Sequence, residues 1–197
     1  MVMMNNVVSF VRDRIESTLQ SGNARDEAWI VLSNFVGMDG APADDIADKI
    51  VMSVASIQND TSVGTYKPPR QGAGDGYAIA SAPLFLDVYV LFASCFTGPN
   101  YAAGLGLLSR IVSFFQESPI LDNMATADGP ADQMDRLAVE YVSLDFAQSN
   151  NLATVMGLKG QPFLVYRLRR LPFDGPAISG VAPAVRSIPR PQIEPSG

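Results

Sequence analysis

The chain has 197 residues, a net charge of −6, 47% hydrophobic residues, 17% charged residues and no histidine. The negative balance argues against a nucleic-acid binder, which needs cations to displace counterions from phosphates. The missing histidine excludes Ser-His-Asp and Cys-His mechanisms and the usual Cys/His zinc sites.

The length fits one compact domain with a tail. The charged share lies below the roughly 25% of a typical soluble domain, which suits a subunit living in contact with neighbours, because interface centres are depleted in charge. A lone cysteine, Cys95, permits no internal disulfide and reads as a small core residue. Arg12, Asp13 and Arg14 interrupt any signal-peptide core, and the longest apolar run, Leu84 to Phe96, contains Asp87 and is too short to span a bilayer. The expectation is cytoplasmic synthesis with no direct membrane insertion.

Residues 2–20 read as an amphipathic helix, with Val7, Val8, Val11, Ile15 and Leu19 at helical spacing. Trp29 to Phe35 is a short β-like run, and Asn34 through Ala43 a loop broken by Gly37, Gly40 and Pro42. Ile46 to Ile57 fits helix or strand, and strand over 49–58 is expected. Residues 59–82, rich in proline and glycine, are expected as a long loop open to partner contacts. Leu84 to Phe96 reads as a central strand buried on both faces, in which Asp87 must find a partner. Asn100 is placed as the N-cap of a helix over 101–117 whose apolar face holds Leu105, Leu108, Ile111, Val112 and Phe115, ended by Pro119. Residues 121–133 read as loop, Arg136 to Phe146 as a strand, Asn150 to Met156 as a short helix stopped by Gly157, and Phe163 to Leu171 as the last strand. From Pro172 on, prolines and turn formers separate short apolar pairs. Such a tail builds no core of its own. It is disordered or an arm that orders against a partner.

The expected class is therefore α/β (α+β): a mixed or antiparallel sheet of the 49–58, 84–96, 136–146 and 162–171 strands, covered by the 1–20 and 101–117 helices. The domain spans 1–172, and 173–197 is an extended arm.

Candidate chemical sites are sparse. Asp39, Asp44, Asp45 and Asp48 lack calcium-loop spacing and read as solvated surface. Gly72-Ala73-Gly74-Asp75-Gly76 lacks the Lys-Ser/Thr of a phosphate loop and reads as flexible chain. Asp87 and Glu140 could form an acid–base pair, but nothing in the sequence places them together. They read as carboxylates satisfied by neighbouring polar groups. No catalytic, metal or cofactor site is expected.

Three segments carry a resemblance. One is Pro83-Leu84-Phe85-Leu86-Asp87-Val88-Tyr89-Val90-Leu91-Phe92, followed by the Tyr101 to Phe115 helix and Pro119-Ile120-Leu121. Another is Phe146-Ala147-Gln148-Ser149-Asn150-Asn151-Leu152, leading to Val155-Met156-Gly157-Leu158-Lys159. The third is Pro162-Phe163-Leu164-Val165-Tyr166-Arg167-Leu168-Arg169. Together, over roughly residues 5–172, they resemble the cap (tail-terminator) proteins of phage-tail-like contractile injection systems of the antifeeding-prophage type. Ala153 and Phe163 depart from that family, which tends to carry tryptophan and serine there. The resemblance implies a non-enzymatic, cofactor-free subunit. Six copies would form a homohexameric ring on the end of the inner tube and contact the sheath, with no nucleic-acid partner. Contacts with tube or sheath are expected from Tyr66, Lys67 and Arg70 in the 59–82 loop, and from Arg167, Arg169, Arg170, Arg186 and Arg190 toward the C-terminus. The competing readings are a phage head–tail connector or tail-completion protein, an enzyme built on carboxylates or lysine, and a soluble small-molecule-binding module.

Overall fold

The computed structural model describes residues 4–22, 25–37, 39–61, 70–71, 76–79, 84–122, 136–173 and 180–183. In chain order the elements are α1 (Met4–Gly22), β1 (Ile30–Leu32), β2 (Ile50–Asn59), β3 (Arg70–Gln71), β4 (Gly76–Ile79), β5 (Leu84–Ser94), α2 (Tyr101–Glu117), β6 (Ile120–Asp122), β7 (Arg136–Tyr141), α3 (Phe146–Met156), β8 (Phe163–Phe173) and β9 (Gly180–Pro183). They fall into two units, Met1–Val63 with Phe85–Phe173, and Gly64–Leu84 with Asp174–Gly197.

The larger unit is built on a six-stranded sheet in the order β1-β2-β5-β8-β7-β6. Strand β1 runs parallel to β2, and β2 runs antiparallel to β5. The β7–β8 and β6–β7 pairs are also antiparallel. The sheet is therefore mixed, and with the helices it makes an α+β fold. The ambiguous Ile46 to Ile57 segment is strand from Ile50, because β1 and β5 flank it on both sides.

Alternation along the strands sorts side chains onto two faces. Ile50, Met52, Val88, Val90, Phe92, Tyr166 and Leu168 join Val7, Val11, Ile15 and Leu19 of α1, and Leu107, Leu108, Ile111 and Phe115 of α2, in one core. Val51, Leu91, Ala93, Cys95 and Val165 form a second core on the other face, with Leu152, Ala153 and Met156 of α3 packed against it. Each fully buried aliphatic side chain contributes about 1.5–3 kcal/mol relative to exposure. The α1 stripe is buried as its spacing predicts. Its neighbours tie it down. Glu16 accepts the Trp29 and Ile30 N–H groups at 3.1 and 2.9 Å, fixing the start of β1. Arg110 of α2 donates to the Thr18 and Leu19 carbonyls at 2.5 and 3.0 Å, satisfying acceptors in the last turns of α1.

Four local expectations are corrected. The core face of α2 holds Gly104, Leu107, Leu108, Ile111 and Phe115, whereas Leu105 is 39% exposed. The first two turns of α2 are apolar on all sides, so periodicity cannot set their rotation. Close approach at Gly104 sets it, where a Cβ would lie 2.2 Å from Ser94 Oγ. Asn100 makes no side-chain cap. It ends a 3-10 turn over Gly98–Asn100, and its amide donates to Asp48 Oδ2 at 3.1 Å. Strand β7 ends at Tyr141, and α3 starts at Phe146 rather than Asn150, because Asp145 and Gln148 form a reciprocal capping box. The helix then closes on Gly157 at φ 74°.

The fourth correction concerns the smaller unit. Residues 59–82 are not loop throughout: β2 runs to Asn59, and β3 and β4 lie further on. Strand β4 pairs antiparallel with β3 and with β9 of the C-terminal tail, Gly76 opposite Pro183 and Ile79 opposite Gly180. That stretch of the tail finds its strand partner in its own chain.

Candidate functional site

The expected contact residues divide by position. Tyr66, Lys67, Arg186 and Arg190 lie outside the described residues, as do Gly72 to Asp75 of the glycine-rich stretch. Arg70 starts β3. Arg167, Arg169 and Arg170 sit together on β8 and meet three carboxylates from three other segments.

Antiparallel register puts Glu140 of β7 directly opposite Arg167. Arg167 donates to Glu140 at 2.6 Å, and Arg169, two residues on and on the same face, donates to it at 2.5 Å. On its other side Arg167 bonds Tyr89 and lies 3.7 Å from Asp87, both on β5. Burial pushes the Glu140 carboxyl up, but hydrogen bonds and charge from Arg167 and Arg169 outweigh it, leaving the group below its ordinary value of 4.5. The Glu140 bond is the largest cause holding the Arg167 guanidinium firmly protonated, followed by the Tyr89 bond.

Asp87 has a second task. Arg170 has φ 57°, a left-handed conformation uncommon for a residue other than glycine. Strand alternation breaks at this point: Leu168 and Leu171, three apart, both enter the first core. This geometry is a β-bulge. Its freed N–H donates to Asp87 Oδ1 at 3.0 Å, so a carboxylate replaces a ladder carbonyl. The Arg170 side chain reaches Asp60 at 3.3 Å, just beyond β2. Asp87 in its apolar strand is thereby explained. It is 6% exposed because it anchors a backbone irregularity in the neighbouring strand.

Sequence reasoning named Asp87 and Glu140 without bringing them together; the structure joins them through Arg167. Asp60 was missed, and no local pattern marks it. The available signal was a mid-strand acid in β5 and a run of arginines in β8, which become partners once those strands are neighbours. The network matches three arginines with three carboxylates and holds strands together. It has no acid–base geometry around a cleft.

Two other titratable side chains are held protonated by burial. Cys95 is buried, which pushes its thiol up to about 11. Tyr166 is pushed up to about 12, mainly by burial and then by Tyr141. Among the described residues, no cluster of three or more acids or cysteines is placed to hold a metal. No helix among them is long and apolar enough to cross a membrane.

The surface is more informative. Phe146, the first residue of α3, is 97% exposed, and Val155 near the helix end is 81% exposed. Residues 146–158 carry no charged side chain. At the β1–β2 edge an open cleft of about 300 Å³ lies between the start of α1 and the two strands.

With this architecture in place, the sequence matches the Pvc16 N-terminal domain model over residues 6–187. The chain belongs to the Pvc16 N-terminal domain family. No curated protein sequence matches it. Its fold is similar to that of the cryo-EM structure of the PVC sheath/tube terminator, in the extended state, of an extracellular contractile injection system. That likeness has a TM-score of 0.61 and 10% identity, and covers 100% of this chain and 65% of that one. It is also similar to the anti-feeding prophage cap, a tube-terminating cap, with a TM-score of 0.50 and 10% identity over 94% of this chain and 61% of that one. The chain thus spans less than two thirds of the length of either structure.

Proposed function

We propose that this protein is a structural cap that closes the end of the inner tube and sheath of a contractile injection particle. It acts as a homohexameric ring assembled in the cytoplasm, without catalytic activity or cofactor. The observation that carries this reading is the fold shared across the entire chain with a protein described as a sheath/tube terminator. Family membership over residues 6–187 supports it. A growing tube exposes unsatisfied interfaces at its tip. A terminator covers them with one surface and presents a non-propagating surface outward, and a head-to-tail contact that closes into a ring supplies that geometry.

Contacts with tube and sheath are assigned to Tyr66, Lys67, Arg70, Arg186 and Arg190, together with Arg170, whose side chain is 55% exposed beside Asp60. Arg167 and Arg169 are more enclosed and are held by Glu140, so their part in the contact is to orient the strand that presents Arg170. Removing the protein from a particle-producing strain should give tubes and sheaths of uncontrolled length by electron microscopy, restored by the wild-type chain. A charge-reversed variant, Lys67→Glu with Arg186→Glu and Arg190→Glu, should fold but fail to restore capping. Normal particle lengths in the deletion strain would overturn the cap reading. Full restoration by the charge-reversed chain would overturn the contact assignment.

A further inference from the structure

We propose that the ring closes by a knob-and-cleft contact between copies: Phe146 of one copy seats in the open cleft between α1 and the β1–β2 edge of the next. This rests on the ring reading above and names its lateral interface.

The knob and the cleft lie on opposite sides of one sheet. Val142, just past β7, donates to Val165 of β8 at 2.9 Å, and only three residues then separate it from Phe146. The start of α3 therefore lies on the β7 side, within about 14 Å of Val142, four residue steps along the chain. Helix α3 crosses the second face of the sheet. Its C-terminal Gly157 abuts Val36, which follows β1, with a Cβ there falling 2.9 Å from the Val36 side chain. The cleft opens at this far edge, lined by Met4 and Val8 of α1, Leu32 of β1, and Met52, Ser53 and Val54 of β2. A protrusion on one lateral edge and a recess on the other make a heterologous pair, the arrangement that generates rings when its rotation closes.

Chemistry matches on both sides. Every residue lining the cleft is uncharged, and so is every residue of α3. Residues bordering α3 are charged on both flanks, Asp145 before it and Lys159 after Leu158. A helix with no buried residue and no charge on its exposed side has the composition of an interface centre, not of solvated surface. A cleft of 300 Å³ accommodates an aromatic side chain. Burying Phe146 removes about 200 Å² of surface on one partner. A standard interface needs roughly 800 Å² per partner, so the uncharged flanks of α3 and the outer length of β2 must close around it. On β2, Ser53 to Asn59 have β5 on one side and, among the described residues, no strand on the other. Exposed Val54 and Ile57 lie in that length.

The test uses the full chain. Phe146→Ser should leave far-UV circular dichroism and the unfolding midpoint unchanged, because the side chain makes little contact within its own copy. It should raise the assembly midpoint concentration about 30-fold in light scattering, the factor for an aromatic hot spot of ~2 kcal/mol. A Phe146→Cys, Val54→Cys double variant provides a second readout. Within one copy, alternation puts Val54 on the Met52 face of the sheet while α3 packs against the opposite face, so the sheet stands between the two positions and keeps them beyond disulfide reach. Oxidation should give a ladder of covalent multimers up to the closed ring, whereas either single variant gives dimers at most. If rings persist in Phe146→Ser and the double variant forms no ladder, the knob-and-cleft assignment fails while the cap reading stands. If the wild-type chain forms no ring either free or on particle ends, both fail.

Discussion

Replacing Asp87 separates two explanations for an acid inside an apolar strand. In Asp87→Ala the Arg170 N–H at 3.0 Å loses its acceptor, and Arg167 at 3.7 Å loses one of two carboxylates. A charge-assisted hydrogen bond to a partly buried backbone group is worth about 1.5–3 kcal/mol. The Arg167 pair adds at most about 1 kcal/mol, because the arginine is 29% exposed and keeps Glu140 at 2.6 Å. The expected loss is about 2–4 kcal/mol, a large share of the roughly 5–15 kcal/mol that holds a domain folded. Asp87→Asn keeps an acceptor oxygen without the charge and should lose about 1 kcal/mol. With a urea slope of about 2 kcal/mol per molar, the alanine variant should unfold 1–2 M earlier by circular dichroism. Repeating the measurement in an Arg167→Met background isolates the ion pair. An alanine variant within 0.5 kcal/mol of wild type would refute the bulge argument. So would an effect that vanishes once Arg167 is gone, since Asp87 would then serve only the arginine.

Other consequences follow from single contacts. Gly104→Ala places a methyl 2.2 Å from Ser94 Oγ and 2.8 Å from Phe96 Cβ, and should cost about 1–3 kcal/mol. Gly106→Ala, two residues along the same helix with open space around it, should gain about 0.5–1 kcal/mol in the same urea titration. The Glu140 carboxyl is lowered on folding, so the unfolded chain takes up its proton first as pH falls. The stability gap between wild type and Glu140→Gln should be full at pH 7 and should close as pH drops below the ordinary 4.5 and through the lower folded-state value. The Cys95 thiol, raised to about 11 by burial, should resist alkylation at pH 8 in the folded protein and react once urea unfolds it.

Where burial follows a simple period, the sequence was readable. The α1 stripe and the β8 alternation up to Leu168 announce themselves in side-chain spacing, and β5 in a long apolar run, whereas the spacing of β2 fits helix as well as strand. The misplaced start of α3 was also legible, because Asp145-x-x-Gln148 is a capping signature, but the apolar run through Phe146 was read as more strand. Three features had no local signal. The rotation of α2 depends on a close approach to Ser94 and Phe96, residues on a different element. Strand β9 is four residues without alternation, and its partner lies a hundred positions earlier. The bulge at Arg170 needs a positive φ that no glycine or asparagine advertises. All the candidate contact residues but Tyr66 are cationic. Charge alone does not reveal that three of these arginines also hold internal carboxylates.

That internal role bears on what the recognisable motifs mean. The aspartate-bearing strand and the arginine-bearing strand look like separate signatures in the sequence. In the fold they are neighbours joined by Asp87, Arg167 and the Arg170 N–H. They mark how this sheet is built. A fold held by core periodicity and a few such anchors tolerates wide sequence change, consistent with a TM-score of 0.61 at 10% identity. The third signature, beginning at Phe146, behaves differently. Its helix buries no residue completely, yet it carries a fully presented phenylalanine and no charge. Stability within one copy does not require that combination: an exposed serine or glutamate at position 146 would serve the monomer equally well. Phe146 and Val155 exposed on one uncharged helix make an apolar, charge-free surface of the kind that another surface covers. The part of the pattern that does least for the isolated fold is therefore the part that points to assembly.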